Sequence, residues 1–404
     1  MGLVERLDRN GGESSVFTTL GSPPLLEPNP LQCIMNTQTP LIGEADAIKA
    51  SPLFQLSLGS KELFHSNFIA WLAGKYPKQV GQLFAPYLKD NTDGLTITRI
   101  EREQKNIDVH LYFANGQELI LENKVKSIPY IEQLEEYTEG HTDNQNFLLL
   151  SLTRPEFTKI EKIPVLNTFW HTMSYSELAT ILKTIVHETT AQYDKLILED
   201  YIFFITFISQ ALGDVEVNES DFFTFYKPET DPILQLLQNI RMADVYSKIK
   251  YQSLGALVAK RLKEILPDTK IHFGAFTSKR EKGIVYVSHG MLRAQGLLEV
   301  SYEIEDGLYI TLQLQANRYS QLLQGYAGYG KATRQYAERL LKRREWFNFT
   351  HIGKDLKVYP MNESKMFNKY GETDFYQSVN LDESFTVSRI IDCIVRDTTS
   401  TLNL

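Results

Sequence analysis

The spacing of apolar residues in the first third of the chain changes from a helical period to a strand period. Over residues 60–76 apolar residues recur every three or four positions, which predicts a helix that Ser60 can cap. Residues 107–113 alternate between apolar and polar, and residues 118–126 follow across a turn at 114–116. Because this turn contains the pair Asn-Gly, a strong hairpin signal, we expect two antiparallel strands here. The apolar face of the helix consists of Leu63, Phe64, Phe68, Trp71 and Leu72.

The same reasoning predicts further helices and strands on both sides of this hairpin. A short apolar run at 146–152 is typical of a buried central strand. The other elements predicted in the first half are a strand over 96–103 and helices over 128–140, 174–187 and 194–212. Those predicted in the second half are a single or broken helix over 233–266, strands near 270–276, 284–289, 297–304 and 308–315 with a turn at Asp306-Gly307, a long helix over 319–346 and a closing helix near 385–397.

This mixture of strands and helices is typical of an α/β (α+β) protein. The length of 404 residues suggests two or three domains. We expect a first domain over 35–213, an acidic, proline-containing linker over 214–232 and a C-terminal α+β domain over 233–404. Residues 1–34 lack periodicity and are predicted to be a disordered leader. Met35 is either the natural start, which would make the leader an extension, or a position after an ordinary flexible tail.

Composition narrows the classes of function. Hydrophobic residues make up 43% of the chain and charged residues 23%, which is ordinary for a globular protein. The net charge of −8 excludes a basic field over the whole surface but leaves room for a local basic patch. The two cysteines, Cys33 and Cys393, are too few for an all-cysteine zinc site and fit a reducing cytoplasm. Since no run of 18 apolar residues occurs, we expect a cytoplasmic protein without a membrane partner.

Three charged residues of the hairpin are the strongest candidates for chemistry. Asp108, Glu122 and Lys124 form the pattern D-x13-ExK. Glu122 and Lys124 lie two positions apart on one strand, so their side chains leave the same face. Two neighbouring carboxylates can hold a hard cation such as Mg²⁺, for which Mn²⁺ can substitute, and a lysine beside them can orient a water nucleophile. The pattern therefore indicates metal-assisted phosphodiester hydrolysis.

The length of the hairpin loop decides whether the two carboxylates can meet. A two-residue loop at 115–116 pairs Asp108 with Asn123 and turns Glu122 away. A three-residue loop over 114–116 sets Asp108 opposite Glu122, and the glycine at its end suits the left-handed position that closes such loops. The metal hypothesis therefore requires the longer loop or a bulge.

Four blocks of sequence stand in a specific order between residues 56 and 180. They are Glu62 to Leu72, Arg102 to Asp108, Glu122 to Lys124, and Gln133 to Tyr137. Their order and spacing resemble the PD-(D/E)XK nuclease superfamily, and most of all the bacterial branch that carries an E-x-FHSNFLAWLL helix before the core. Ile107 stands where the motif has its proline, a common departure in the superfamily.

The resemblance implies a fold, an activity and a set of site residues. The fold would be a restriction-endonuclease-like core, in which helices flank a mixed central sheet. The activity would be Mg²⁺-dependent cleavage of nucleic acid, DNA more often than RNA. By resemblance Asp108 and Glu122 are metal ligands and Lys124 is the catalytic lysine. Defence against foreign DNA is an expectation from the habits of the family.

Structural roles stay open for several of these residues. Glu122 and Lys124 could form an exposed ion pair on a strand. Glu62 matches a first-helix acid that supports the metal site, but an acid in the first turn also stabilises a helix by itself. Gln133 and Tyr137 match a helix that faces the site, and at four-residue spacing they could equally serve the helix alone.

A second signal is a basic cluster within the helix predicted over 319–346. Six positive charges fall within 14 residues against one acid, Glu338, and aromatic residues interleave with them. This composition predicts a phosphate-contacting helix with stacking side chains. The alternative is a solvated helix face whose aromatic residues belong to the core. The residues proposed to bind nucleic acid are Arg339, Lys342, Arg343 and Arg344, and the aromatic residues include Tyr326, Tyr329, Tyr336, Trp346 and Phe347.

The leading hypothesis is thus a Mg²⁺-dependent endonuclease of a bacterial or mobile-element type. Its N-terminal half would be catalytic, and its C-terminal half would serve DNA, partner or dimer contacts, so that a homo-oligomer is an open possibility. Two alternatives stay open. One is a catalytically silent nuclease-like module that binds nucleic acid, and the other is a protein-interaction regulator acting through the C-terminal half.

Overall fold

The computed structural model describes residues 41, 44, 47–58, 61–89, 93–104, 106–140, 142–213, 215–277, 280–305, 307–325, 330–353, 355–360 and 365–402. Several sequence predictions lie outside these residues. They are the disordered leader over 1–34, the start at Met35, the cap at Ser60, the turn residue Asp306, and Tyr326 and Tyr329 of the basic segment. Among the described residues no helix is long and apolar enough to cross a membrane.

The first half of the described chain begins with helices and continues with strands and helices in alternation. Helix α2 begins at Lys61 and therefore confirms the helix predicted over 60–76. The elements in chain order are α1 (Pro52–Ser57), α2 (Lys61–Lys75), α3 (Pro77–Phe84), β1 (Ile97–Gln104), β2 (Ile107–Phe113), β3 (Glu118–Lys124), α4 (Ile131–Thr138), β4 (Gln145–Ser151), β5 (Lys162–Val165), β6 (Thr168–Ser174), α5 (Tyr175–Glu188) and α6 (Gln192–Leu212).

These strands form one mixed sheet in the order β1-β2-β3-β4-β6-β5. Strands β3, β4 and β6 are parallel, whereas β1, β2 and β5 pair with their neighbours in antiparallel fashion. The apolar run that predicts β4 is buried along nearly its whole length, as expected for a central strand. Helices α2, α5 and α6 contribute to the core on one face, and α4 covers the other through Leu134, which packs with Ile120 and Trp170. The predicted mixed sheet flanked by helices is confirmed.

The second half repeats this organisation with a larger sheet. Its elements are α7 (Pro232–Asn239), α8 (Ala243–Ile265), β7 (Lys270–Ala275), β8 (Ile284–Leu292), β9 (Gln295–Glu305), β10 (Leu308–Gln315), β11 (Arg318–Gln324), α9 (Gly330–Arg343), β12 (Asn368–Tyr370), β13 (Asp374–Asn380) and α10 (Val387–Thr401). The helix predicted over 233–266 is broken, because Arg241 between α7 and α8 has a positive φ of 60°.

The second sheet has the strand order β12-β13-β11-β10-β9-β8-β7. All neighbours are antiparallel except β7 and β8, which are parallel. Helix α8 packs against β7, β8 and β9, and α10 packs against β10 and α8. Apolar side chains of one sheet face, such as Val287, Val300 and Leu312, lie in the core beneath these helices.

The long helix predicted over 319–346 is wrong in its first part. Residues 318–324 form strand β11, and the helix begins only at Gly330. The segment is short and apolar enough to fit either structure, and its pairing with β10 and β13 decides for a strand. Ala316, with a φ of 48°, lies in the tight connection from β10 that makes this pairing possible.

The stretch predicted as a linker over 214–232 takes part in the core. Phe223 is completely buried, and its N–H donates to the carbonyl of Phe385 at 2.8 Å. The N–H of Val387 in turn donates to the carbonyl of Asp221 at 2.8 Å. The stretch is therefore held against the start of α10, and the division of the chain into two domains stays a prediction.

Candidate active site

The hairpin of β2 and β3 has the three-residue loop that the metal hypothesis requires. The N–H of Phe113 donates to the carbonyl of Gln117 at 2.9 Å, which leaves three residues between them. Gly116 ends the loop with a φ of 82°, in the left-handed region that glycine adopts without strain. The pairing of the two strands keeps this register, so Asp108 lies opposite Glu122 on the same face of the sheet.

Glu122 and Lys124 form a buried ion pair rather than an exposed one. Lys124 Nζ lies 2.6 Å from Glu122 Oε1, and the two side chains are only 9% and 3% exposed. Glu122 Oε2 is buried, and among the described residues it has no hydrogen-bond partner. Because a buried carboxylate oxygen without a partner is costly, this atom is well placed to accept a cation.

The carboxyls of Asp108 and Glu122, when ionised, carry more negative charge than the nearby Lys124 can neutralise. Burial raises the pKa of Glu122 to about 8, although the charge of Lys124 opposes the shift. Burial likewise raises the pKa of Asp108 to about 6, against the effect of the Asn123 N–H, which donates to Asp108 Oδ2 at 2.7 Å. Burial lowers the pKa of Lys124, but the attraction of Glu122 outweighs it, so that this pKa is raised. A divalent cation between the carboxyls would relieve this imbalance.

Glu62 holds the loop that follows β3. Its Oε1 accepts hydrogen bonds from the backbone N–H groups of Lys126 at 3.0 Å and Ser127 at 2.5 Å. Its Oε2 accepts from the Ser127 hydroxyl at 3.2 Å. The charge of Glu62 also contributes to raising the pKa of Asp108 and of Glu122. Glu62 therefore shapes the site from behind the loop and adds to its negative field.

Asn123 ties β3 to the helices on the other face of the sheet. Its Nδ2 donates to the carbonyl of Glu62 at 3.0 Å and to the hydroxyl of Ser66 at 3.1 Å. Its Oδ1 accepts a hydrogen bond from the hydroxyl of Tyr175. Since Asn123 is 1% exposed, these buried bonds fix the strand segment on which Glu122 and Lys124 stand. Asn123 is not among the site residues predicted from the sequence, although a polar residue on the apolar face of a buried strand is a usable signal of such a role.

Helix α4 brings Gln133 and Tyr137 to the active-site face. Gln133 Nε2 donates to the Tyr137 hydroxyl at 2.7 Å. Burial raises the pKa of Tyr137, and the charge of Glu122 raises it further while Lys124 opposes it. Tyr137 thus lies within electrostatic reach of the acid and the lysine, and Gln133 orients its hydroxyl. A catalytic role of Gln133 stays a prediction.

Helix α8 of the second half also contacts the site. Lys248 Nζ donates to the carbonyl of Lys126 at 3.1 Å, in the loop that Glu62 holds. Asp244 accepts from Lys61, the residue before Glu62, at 2.8 Å. No sequence motif joins residues more than 120 positions apart, so this contact could not be predicted from the sequence. It makes α8 a structural support of the loop after β3.

The donor set fits a magnesium ion that keeps part of its water. Among the described residues no three His, Cys, Asp or Glu side chains form a metal-binding group. Asp108 and Glu122 nevertheless supply two facing carboxylates, one with a buried oxygen that lacks a partner. Mg²⁺ is commonly bound by one or two carboxylates, with water and substrate phosphate as the other ligands. Both oxygens of Glu62 accept hydrogen bonds from residues 126–127, and its role at the site stays a prediction.

The basic segment exposes its charges and buries two of its aromatic side chains. Trp346 and Phe347 belong to the core, which is what the alternative interpretation of this segment expects. On α9 the guanidinium of Arg339 lies 4.6 Å from the ring centre of the half-buried Tyr336. The four basic residues predicted to bind nucleic acid are all exposed, namely Arg339, Lys342, Arg343 and Arg344.

Comparison with known proteins supports the assignment of the first half. Residues 52–202 match the family model of the PD-(D/E)XK nuclease superfamily. No curated protein and no solved structure matches the chain. The matched residues contain the hairpin, the helix that carries Glu62 and the helix that carries Gln133. Over residues 52–202, the chain is similar to the PD-(D/E)XK nuclease superfamily.

Proposed function

We propose that the protein is a Mg²⁺-dependent nuclease that hydrolyses phosphodiester bonds of DNA, with Mn²⁺ as a possible substitute for Mg²⁺. The observation that carries the proposal is the arrangement of Asp108, Glu122 and Lys124. The half-buried carboxyl of Asp108 faces the buried carboxyl of Glu122. Among the described residues Glu122 Oε2 has no hydrogen-bond partner, and Lys124 Nζ lies 2.6 Å from Glu122 Oε1. The similarity of residues 52–202 to a nuclease superfamily supports the same conclusion.

Each residue would have a distinct role in hydrolysis. Asp108 and Glu122 would hold the ion, which polarises the phosphate and lowers the pKa of a bound water. Lys124 would orient the attacking water and balance the charge that develops on the phosphate oxygens. The water oxygen forms a bond to phosphorus while the ester P–O bond breaks, and the departing oxygen takes up a proton. Glu62 and Asn123 would act as positioning residues, because they hold β3 and the loop after it.

The exposed basic residues at and after the end of α9 are proposed to contact the phosphate backbone of the substrate. The protein as a whole carries a charge of −8, which repels a polyanion. A local group of four exposed cations is therefore the best candidate for attracting DNA in the described part of the chain. These residues are Arg339, Lys342, Arg343 and Arg344.

A substrate panel tests the proposal. Purified protein is incubated with plasmid, linear duplex DNA, single-stranded DNA and RNA in Mg²⁺, Mn²⁺ or EDTA. We expect cleavage of DNA with either metal and none in EDTA. Lys124→Met should lose cleavage, whereas Lys195→Met, which removes a partly exposed lysine of α6, should keep it. DNA binding without cleavage in any metal would instead indicate a silent nucleic-acid-binding module, and the absence of both would indicate a protein-interaction module.

A place in bacterial defence is proposed on the habits of the family alone. Cells that carry the wild-type gene should resist phage or incoming plasmid DNA better than cells that carry the Lys124→Met variant. Equal resistance in the two strains would remove defence from the proposal and leave the nuclease activity untouched.

A further inference from the structure

A cavity of about 660 Å³ opens between the catalytic half and the second sheet. One wall is residues 128–132, the connection from β3 into α4, and another is the face of α8 that carries Ala256 and Ala259. The floor is formed by Phe273 and Gly274 of β7 and by His289 of β8. The volume lies within the range of small-molecule sites and is ample for one nucleotide.

Three rings give the cavity an aromatic surface. The ring centres of Phe273 and His289 are 5.3 Å apart, and the ring planes are inclined by 35°. The ring centres of Tyr130 and His289 are 5.9 Å apart, with an interplanar angle of 33°. Gly274 lies beside Tyr130, so that the wall stays open at this point. Such a surface favours a flat, aromatic ligand, because π-systems stack on one another.

His289 is a buried polar residue in the wall of the cavity, at a position where the fold requires only an apolar side chain. It stands on β8 in line with Val285 and Val287, where an apolar residue would pack beneath α8. It is 2% exposed, and its Nε2 has no hydrogen-bond partner. Burial lowers the pKa of His289 to about 4, so the ring is neutral and offers one donor and one acceptor nitrogen. A buried nitrogen without a partner calls for a ligand.

The rim of the cavity carries mixed charge. Lys260 and Lys263 of α8 are exposed there, together with the acids Glu132 and Glu264. Glu264 lies 3.6 Å from Arg261, which offsets part of its charge. The mouth thus offers two free-standing lysine side chains for a phosphate, while the interior offers rings and an imidazole for a base. A base edge presents donors and acceptors, and His289 Nε2 can make one hydrogen bond to either kind of group.

We propose that this cavity binds a nucleobase, which lies against Tyr130, Phe273 and His289 with its sugar-phosphate toward Lys260 and Lys263. The base could belong to a free nucleotide or to the nucleic-acid strand that the active site cleaves. The second source rests on the proposed function, since residues 128–132 connect the active-site strand β3 to α4. In either case the bound base would lie against the start of α4, the helix that carries Gln133 and Tyr137.

Fluorescence of 2-aminopurine tests the inference. The probes are the free 2-aminopurine riboside and a single-stranded oligonucleotide that carries one 2-aminopurine, both in EDTA so that no cleavage occurs. We expect saturable quenching as the base stacks on the rings. Quenching by the riboside points to a free nucleotide, and quenching by the oligonucleotide alone points to the substrate strand.

Matched variants locate the binding. His289→Phe keeps a ring but removes the nitrogens and should weaken binding roughly tenfold, the worth of a hydrogen bond to a buried group. Ala256→Trp fills the cavity from α8 and should abolish quenching. His272→Phe makes the same change as His289→Phe on the neighbouring strand, outside the cavity, and should leave affinity unchanged. Thermal unfolding of each variant shows whether it is folded.

Two results would overturn the inference. One is the absence of saturable quenching with either probe, and the other is quenching that folded Ala256→Trp and His289→Phe retain in full. Because binding is measured without metal, the outcome is separate from the proposed function. DNA cleavage without a base signal would refute this inference alone, and a base signal without cleavage would refute the nuclease proposal alone.

Discussion

Replacing Glu122 by glutamine should change how the stability of the protein depends on pH. The side chain keeps its size but can no longer ionise beside Lys124, whose Nζ lies 2.6 Å from Glu122 Oε1. In the folded protein burial raises the pKa of Glu122 from its ordinary 4.5 to about 8. Since the raised pKa favours the protonated form, the contribution of this group to stability is complete below pH 4.5. This contribution is lost as the pH rises from 4.5 to about 8.

The size of this effect follows from the shift. Each pH unit inside the window costs on the order of 1 kcal/mol, so the metal-free protein should lose a few kcal/mol between pH 5 and pH 8. Asp108, whose pKa burial raises to about 6, adds a loss of the same sign at lower pH. A divalent cation binds the ionised carboxylates and should reverse the trend. At a metal concentration of 100 times Kd, the expected stabilisation is about 2.7 kcal/mol.

Urea denaturation at pH 6 and pH 8.5, in EDTA and in Mn²⁺, measures both effects. In the wild type the stabilisation by Mn²⁺ should be larger at pH 8.5 than at pH 6. Glu122→Gln should lose the metal effect and flatten the dependence on pH. The control is Glu118→Gln, on the same strand and face, where the carboxylate contacts His110 at 2.9 Å instead. If Glu122→Gln kept the metal stabilisation and pH slope of the wild type, the proposed metal site would be refuted.

Three further substitutions test other parts of the account. Lys124→Met should lower single-turnover cleavage by roughly 10²–10³-fold, while its Mn²⁺ affinity in calorimetry should stay close to that of the wild type. A large loss of Mn²⁺ affinity would contradict this division of roles between the lysine and the carboxylates. Neutralising the four exposed cations of the basic segment should weaken DNA binding. The slope of log K against log salt concentration should become shallower by about 0.9 for each lost phosphate contact. An unchanged slope would show that the segment has another partner. Phe223→Ala should lower the free energy of unfolding by about 3–5 kcal/mol in chemical denaturation, because the ring is fully buried. Phe222→Ala should lower it far less, because Phe222 is 60% exposed. Equal losses would contradict the packing of this stretch.

The hairpin shows how far sequence reasoning reaches. Alternation of apolar and polar residues predicts β2 and β3 with their boundaries within two residues. It leaves two loop lengths open, and only the chemistry of the site favours the longer one. The structure has that loop, and Gly116 takes the left-handed position in it. Local pattern and chemistry together therefore predict the facing of Asp108 and Glu122.

Long-range pairing sets the limit of the sequence reasoning. Strand β11 has the length and composition of a helix turn or a strand, and its neighbours β10 and β13 determine which one forms. The stretch around Phe223 has the composition of a linker, yet it pairs with residues near Phe385, more than 150 positions away. Both features depend on contacts that no local window contains.

The burial of the proposed active-site residues could not be predicted from the sequence either. Burial of Glu122 and Lys124 changes an ordinary strand ion pair into a site with raised carboxyl pKa values. The loop that follows these residues is held in turn by a distant part of the chain, because Lys248 of α8 donates to the carbonyl of Lys126. The motif identifies the residues, and only the fold shows how far they are removed from solvent.

The most direct test of the account is the position of a bound metal ion. Crystals soaked in Mn²⁺ and measured at the manganese absorption edge would show each ion by its anomalous scattering. We expect one ion between the carboxylates of Asp108 and Glu122, within reach of Glu122 Oε2, which has no hydrogen-bond partner in the described part of the chain. In Mg²⁺ the ligand distances should be about 2.0–2.1 Å. A strong ion peak elsewhere with none between these two carboxylates would contradict the central claim.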